Sequence, residues 1–174
     1  MYYFIAQLVG FIGTGIMFLS YQYKDSKKLF LMQMLSNIAY ILHFFMLGAF
    51  SGSLNLLVSL LRNFVLINSN SNWARNKYWL WLFVGLHLIV TIFTLQNAFS
   101  LLPCIGMIAM AVSSWTRNGK KVRYANLFIN SPAWLIYDIY TRSYAGILCE
   151  VLLLFSVIIS FLRYGIKDLD HVDA

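Results

Sequence analysis

Asn37, His43, Arg62, His87, Asn130, Asp138 and Glu150 each interrupt a run of aliphatic and aromatic side chains. Ionisable groups are costly at membrane depth and by default mark functional sites there. With a helical rise of about 1.5 Å per residue, Arg62 lies roughly 16 Å and Glu150 roughly 10 Å from the same ends of their apolar runs. That spacing permits an Arg62–Glu150 charge pair, either lining a solute path as a gate or fixing helix packing. Asn37 and Asn130 can bind a solute's hydroxyls or hydrogen-bond helices together. Trp134 and Tyr40 place aromatic walls beside them. His43, Asn55 and Asp138 fall near helix ends on one side, as a polar vestibule or as residues meeting interfacial water. His87 reads as a hydrogen-bonded packing residue.

None of this is a catalytic signature. HExxH, GxSxG, a Walker loop and Cys/His metal spacing are all absent from the sequence. GFIGTG at 10–15 resembles a glycine-rich loop but sits inside an apolar run, where small residues serve close helix packing. We therefore expect no enzyme, no catalytic residue, no metal and no cofactor. His43 with Glu150 is the one acid–base pair an enzyme reading would use. Cys104 and Cys149 both lie in apolar runs, which argues against a disulfide.

The elements that position these residues follow from composition. The 174 residues are 60 % hydrophobic and 17 % aromatic, and only 11 % are charged, against about 25 % charged in soluble domains. A chain of this size has no interior large enough to hide that apolar surface, so the surplus faces lipid. Seven apolar segments of near-spanning length run at residues 2–22, 29–48, 51–70, 76–95, 99–116, 123–141 and 143–164. The first lacks a basic start and a cleavage site, and so reads as a retained helix rather than a signal peptide. The breaks between segments two and three, and six and seven, are short enough to require tight antiparallel hairpins. The expected class is all-α membrane, in four regions: a three-helix bundle over 1–70, a linker region with a fourth helix over 71–98, a second bundle over 99–164, and a cytoplasmic tail over 165–174.

The net charge of +7 sits in short blocks between apolar runs: Lys24, Lys27 and Lys28; Arg75 and Lys77; Arg117, Lys120, Lys121 and Arg123. That pattern belongs to cytoplasmic loops, not to nucleic-acid binding. With the N-terminus outside and the C-terminus cytoplasmic, Arg142 and the intramembrane Arg62 are the only two of 13 basic residues off the cytoplasmic side. A repeat accompanies the charge pattern. At an offset of 93 residues Gly13 meets Gly106, Met17 meets Met110, Lys27-Lys28 meets Lys120-Lys121, and Asn37 meets Asn130. Three crossings reverse the chain and a fourth restores its direction, so the two copies are expected to be parallel.

The arrangement and motifs resemble the SWEET and PQ-loop superfamily. PAWLIYD at 132–138 with YAGILCEVLLL at 144–154 is similar to the second and third helices of SemiSWEETs. LSYQYKDSKKL at 19–29 stands where that superfamily has Pro-Gln and a Lys-rich loop, here with Tyr21-Gln22. HFFMLGA at 43–49, LNLLVSLLRN at 54–63, LLPCIG at 101–106, Trp134, Glu150 and SFLRY at 160–164 resemble, more closely, the YgjV-type bacterial inner membrane proteins. The resemblance implies a SWEET-like 3+1+3 fold in a bacterial inner membrane. The sequence departs from the superfamily in its hinge prolines: Pro132 is present, its repeat mate is Ala39, and the first copy has none.

The expected function is transport of a small polar solute by alternating access. Asn37, Asn130, Trp134 and Tyr40 would contact solute, and Arg62, Glu150, His43, Asn55 and Asp138 would line or gate the path. The alternative is a non-transporting sensor or partner subunit with the same fold. A transporter gathers its intramembrane polar groups on one hydrated cavity, whereas a scaffold distributes them as separate helix contacts. The expected partners are the lipid bilayer and a small solute, with a monomer or a homo-oligomer equally compatible.

Overall fold

The computed structural model describes residues 2–23 and 25–168, and these contain helices but no strand. In chain order they are α1 (Tyr2–Ser20), α2 (Ser26–Met46), α3 (Phe50–Ile67), α4 (Tyr78–Thr94), a 3-10 turn (Ala98–Leu101), α5 (Leu102–Trp115), α6 (Gly119–Ala125), a π turn (Asn126–Asn130), α7 (Ser131–Thr141) and α8 (Tyr144–Asp168). Five helical stretches are long and apolar enough to cross a membrane: Tyr2–Ser20, Lys27–Met46, Phe50–Ile67, Ala98–Trp115 and Tyr144–Tyr164. Two of the seven expected spans differ. α4 has 17 residues, and the sixth span is divided by the π turn. α8 also runs on through Asp168 into the expected tail, while Lys24 and residues 169–174 lie outside the described residues.

Local chemistry places the helix ends. Asp25 caps α2 by accepting the Lys27 N–H at 2.8 Å, and Asn118 caps α6 by accepting the Lys121 N–H at 3.0 Å, each satisfying a donor the first turn cannot. At the other end of α2 Gly48 adopts φ 71°, a left-handed conformation that glycine enters without steric penalty. It lets Ala49 N–H reach the Phe44 carbonyl at 2.9 Å and Gly48 N–H reach Phe45 at 3.0 Å. α7 closes the same way, with Arg142 at φ 54° and Ser143 N–H on the Asp138 carbonyl at 2.9 Å. These paired bonds are Schellman caps, and they form both tight hairpins.

The interior of the sixth span breaks because Pro132 has no N–H and its ring displaces the carbonyl four residues back. Ser131 N–H instead reaches the Asn126 carbonyl, five residues back. A π turn holds one residue more than an α turn, and the spacing of similar features changes by one across it. The caps Asp25 and Asn118 are 93 positions apart. Beyond the π turn the left-handed residues Gly48 and Arg142, and the helix starts Phe50 and Tyr144, are 94 apart. A single ungapped offset of 93 therefore does not fit these later features.

With α6, the π turn and α7 taken as one, six helical segments close on themselves: α1 packs on α2, α2 on α3, α3 on α5, α5 on α6 and α7, α7 on α8, and α8 on α1. α4 stands outside, against α3 and α5. Large apolar side chains such as Phe4, Ile12, Leu42, Phe64, Phe93, Phe128, Ile139 and Leu162 face outward, and the buried set is rich in Asn, Gln, Ser, His and Arg. In lipid the hydrophobic effect gives helices no reason to associate, so packing and polar contacts hold the assembly together.

Candidate functional site

The six-segment ring lines a cavity with about 50 Å³ of free volume for the centres of water-sized groups. Every ring helix except the short α6 contributes to the wall, α4 contributes nothing, and the π turn supplies Asn126 and Asn130.

Four amides define the centre. Gln33 and Asn37 are one turn apart on α2; Asn126 and Asn130 are one turn apart in the π turn. Asn130 Nδ2 donates to Asn126 Oδ1 at 2.8 Å, Asn126 Nδ2 donates to the Ser131 hydroxyl at 3.2 Å, and Asn130 Oδ1 has no partner. Asn37 and Asn130, matched by sequence, thus do share one wall-lined space. Their partners Gln33 and Asn126 were missed there because only identical residues were compared. The same offset of 93 joins them.

Aromatic rings flank the amides. Phe44 lies 5.4 Å from Trp134 and 5.8 Å from Tyr40 between ring centroids. Trp134 Nε1 has no hydrogen-bond partner, while the Tyr40 hydroxyl is engaged by the Ala145 carbonyl at 3.2 Å and by Thr14 Oγ1 at 2.7 Å. Tyr40 and Trp134, Phe44 and Asp138, and Leu56 and Glu150 are each 94 positions apart. All six line the cavity.

Arg62, Asp138 and Glu150 are its charged residues. The Arg62–Glu150 ion pair suggested by sequence is not formed. Arg62 donates to Asn63 Oδ1 from Nε at 3.3 Å and Nη2 at 3.0 Å, and from Nη1 to the Met107 carbonyl at 3.4 Å. The reason is topological: α3 packs on α5, and α8 packs on α1 and α7. Glu150 Oε2, Asp138 Oδ1 and Asn63 Nδ2 are buried without partners. Together with Asn130 Oδ1 and Trp134 Nε1, five unpartnered polar atoms belong to residues lining this one cavity. Buried polar groups are normally satisfied, so this concentration marks a place for a polar occupant.

The other expected site residues are engaged elsewhere. His43 Nδ1 donates to the Ala6 carbonyl at 2.7 Å, and its Nε2 accepts from the Ser143 hydroxyl at 2.8 Å. Ser143 Oγ in turn accepts the Gly146 N–H at 3.0 Å. Both ring nitrogens thus tie α2 to α1 and to the start of α8, and the ring is not among the cavity's lining residues. The His43–Glu150 acid–base pair is not assembled. Asn55 ties α3 to α4: it accepts from His87 Nδ1 at 2.8 Å and donates to Thr91 Oγ1 at 3.2 Å. The expected vestibule of His43, Asn55 and Asp138 therefore separates into two helix ties and one cavity group, because each side chain follows its own helix face.

Arg123, read from sequence as a loop cation, is fully buried. It donates to Ser160 Oγ at 2.8 Å and to the carbonyls of Gly119, Tyr21 and Tyr23 at 3.1–3.2 Å. That set locks α6 against α8 and the end of α1. The two cysteines are free and buried; only Cys149 lines the cavity.

These features define a helical membrane protein with its polar groups turned inward on a small central cavity. The chain belongs to the Imp-YgjV family of bacterial inner membrane proteins, whose profile matches residues 4–167. Neither the curated proteins nor the solved structures yield a match.

Proposed function

We propose that the protein moves a small polar solute across the bacterial inner membrane, by alternating access between two parallel halves of SWEET-like 3+1+3 design. α1–α3 form one half, α5–α8 the other, and α4 is the linker that restores direction. The contact scheme supports this reading, since α1 against α8 and α3 against α5 are equivalent contacts of two related halves. So does the wall, where Gln33 and Asn126, Asn37 and Asn130, and Tyr40 and Trp134 are mates across the cavity. The basic loops orient the N-terminus outside and the C-terminus inside. The observation that carries the reading is that five unpartnered buried polar atoms belong to residues lining one cavity.

The alternative, a sensor or partner subunit that transports nothing, draws support from His43, Asn55 and His87, whose bonds are helix ties. Uptake into proteoliposomes across a panel of sugars, amino compounds and vitamins separates the two. The transport reading expects saturable uptake of at least one solute, reduced by Asn130→Ala or Asn37→Ala in protein that still folds. If no solute moves and both substitutions only lower thermal stability, the scaffold reading replaces it.

A further inference from the structure

The cavity's charged groups are unevenly placed. α7 and α8 bring two carboxyl groups, Asp138 and Glu150, each with an oxygen that has no hydrogen-bond partner. Their counterparts across the ring, Phe44 and Leu56, are apolar, so the acidic wall belongs to one half alone. α3 brings the donors: the Arg62 guanidinium, with N–H groups beyond those bonded to Asn63 and Met107, and the unpartnered Asn63 Nδ2. With one guanidinium against two carboxyls, the lining is one negative charge in excess when all three are ionised. Trp134, Phe44 and Tyr40 pack together as an aromatic part of the same wall. Asp138, Glu150, Asn63, Asn130 and Trp134 all keep less than 10 % of their surface exposed.

We propose that the occupant is a small amino compound, with an ammonium group at the α7–α8 end and a hydroxyl or carboxylate acceptor at the α3 end. Each unpartnered atom then has a role. Asp138 Oδ1, Glu150 Oε2 and Asn130 Oδ1 accept from the ammonium group, whose charge balances the excess carboxyl and gains from the aromatic faces. Asn63 Nδ2, Trp134 Nε1 and the remaining guanidinium N–H groups donate to the other end. With all three groups ionised, a neutral diol leaves the surplus charge uncompensated, and an anion adds to it. The free volume limits the occupant to a few heavy atoms. This inference deepens the transport reading and rests on the same cavity, but it concerns binding.

The test is equilibrium binding to the purified full-length chain in detergent, using three probes of similar size: ethanolamine, ethylene glycol and glycolate. Ethanolamine is expected to bind at least about tenfold more tightly than either of the others, with a matching rise in melting temperature. Glu150→Gln and Asp138→Asn are each expected to weaken ethanolamine by about tenfold or more, the scale of a lost hydrogen bond to a charged group. Equal or tighter binding of ethylene glycol or glycolate overturns the proposal. So does ethanolamine binding unchanged in both variants, or no ethanolamine binding. If a variant does not elute as folded protein, the comparison of probes on the native chain decides. Binding without uptake removes the transport reading and leaves this site; uptake confined to neutral solutes does the reverse.

Discussion

The Tyr137 hydroxyl accepts the backbone N–H of Gly52 at 3.0 Å, and its ring leaves no room for a side chain there. A Cβ on Gly52 would stand 2.8 Å from a Tyr137 ring carbon. The bond satisfies a first-turn donor of α3 with a side chain from α7, so it joins those two helices. The same ring packs on Phe44 and Trp134, with centroids at 6.0 and 5.7 Å, and lines a second cavity of about 270 Å³ beside the α2–α3 hairpin. Tyr137 therefore lines the space at the hairpin end and meets the central cavity's wall through Phe44 and Trp134.

Tyr137→Phe leaves the Gly52 N–H buried and unpaired, and should destabilise the protein by about 1–3 kcal/mol in denaturant titrations. Tyr137→Ala empties the space behind the Phe44 and Trp134 rings and, if Tyr137 is the partition, joins the two cavities. In a Cys104→Ser background, where Cys149 is the reporting thiol, it should raise the labelling rate of Cys149 by a water-soluble thiol reagent several-fold. An unchanged rate would show that the partition lies elsewhere.

Gly146 faces the Asp138 carboxyl so closely that a Cβ would collide with it. Gly146→Ala should therefore cost about 1–3 kcal/mol, as overpacking does. Adding Asp138→Ala should recover part of that loss, whereas Asp138→Asn, with the same volume, should recover none. A double-mutant cycle followed by thermal unfolding measures the coupling.

Arg123→Lys keeps the charge but loses the planar fork that reaches Ser160 and three carbonyls at once. The expected loss is about 2–3 kcal/mol of unfolding free energy, from abandoned charge-assisted bonds. Arg75→Lys, on an exposed loop, is the control and should shift the midpoint little.

Asn55→Ala and His87→Ala break the tie between α3 and α4. Interhelical polar contacts in membranes average about 0.6 kcal/mol in double-mutant cycles, and the Asn55–His87 coupling should fall near that figure. Because neither residue lines the cavity, both variants should bind ethanolamine as the native chain does. A loss of binding on the scale of Glu150→Gln would mean that α4 belongs to the site.

Much of the fold was legible because lipid imposes a one-dimensional rule: a crossing needs a sustained apolar run, and charges mark its ends. The seven expected segments coincide with the helical stretches to within a few residues, and both hairpins form where the breaks are shortest. Of the residues singled out from sequence, Asn37, Asn130, Tyr40, Trp134, Arg62, Asp138 and Glu150 line one cavity. The Arg62–Glu150 bond, the vestibule and the exposure of Arg123 were misread, because each depends on which helices are neighbours.

Apolar runs and the basic blocks between them by themselves determined an all-helical membrane protein. Hydropathy and charge act along the chain, and a sequence records them directly. Only the tertiary structure decided that His43 and Asn55 bind neighbouring helices while Asp138 and Glu150 line the cavity, and that a π turn precedes Pro132. Those outcomes depend on helix rotation, which a single residue in one turn changes by about 100° at 3.6 residues per turn.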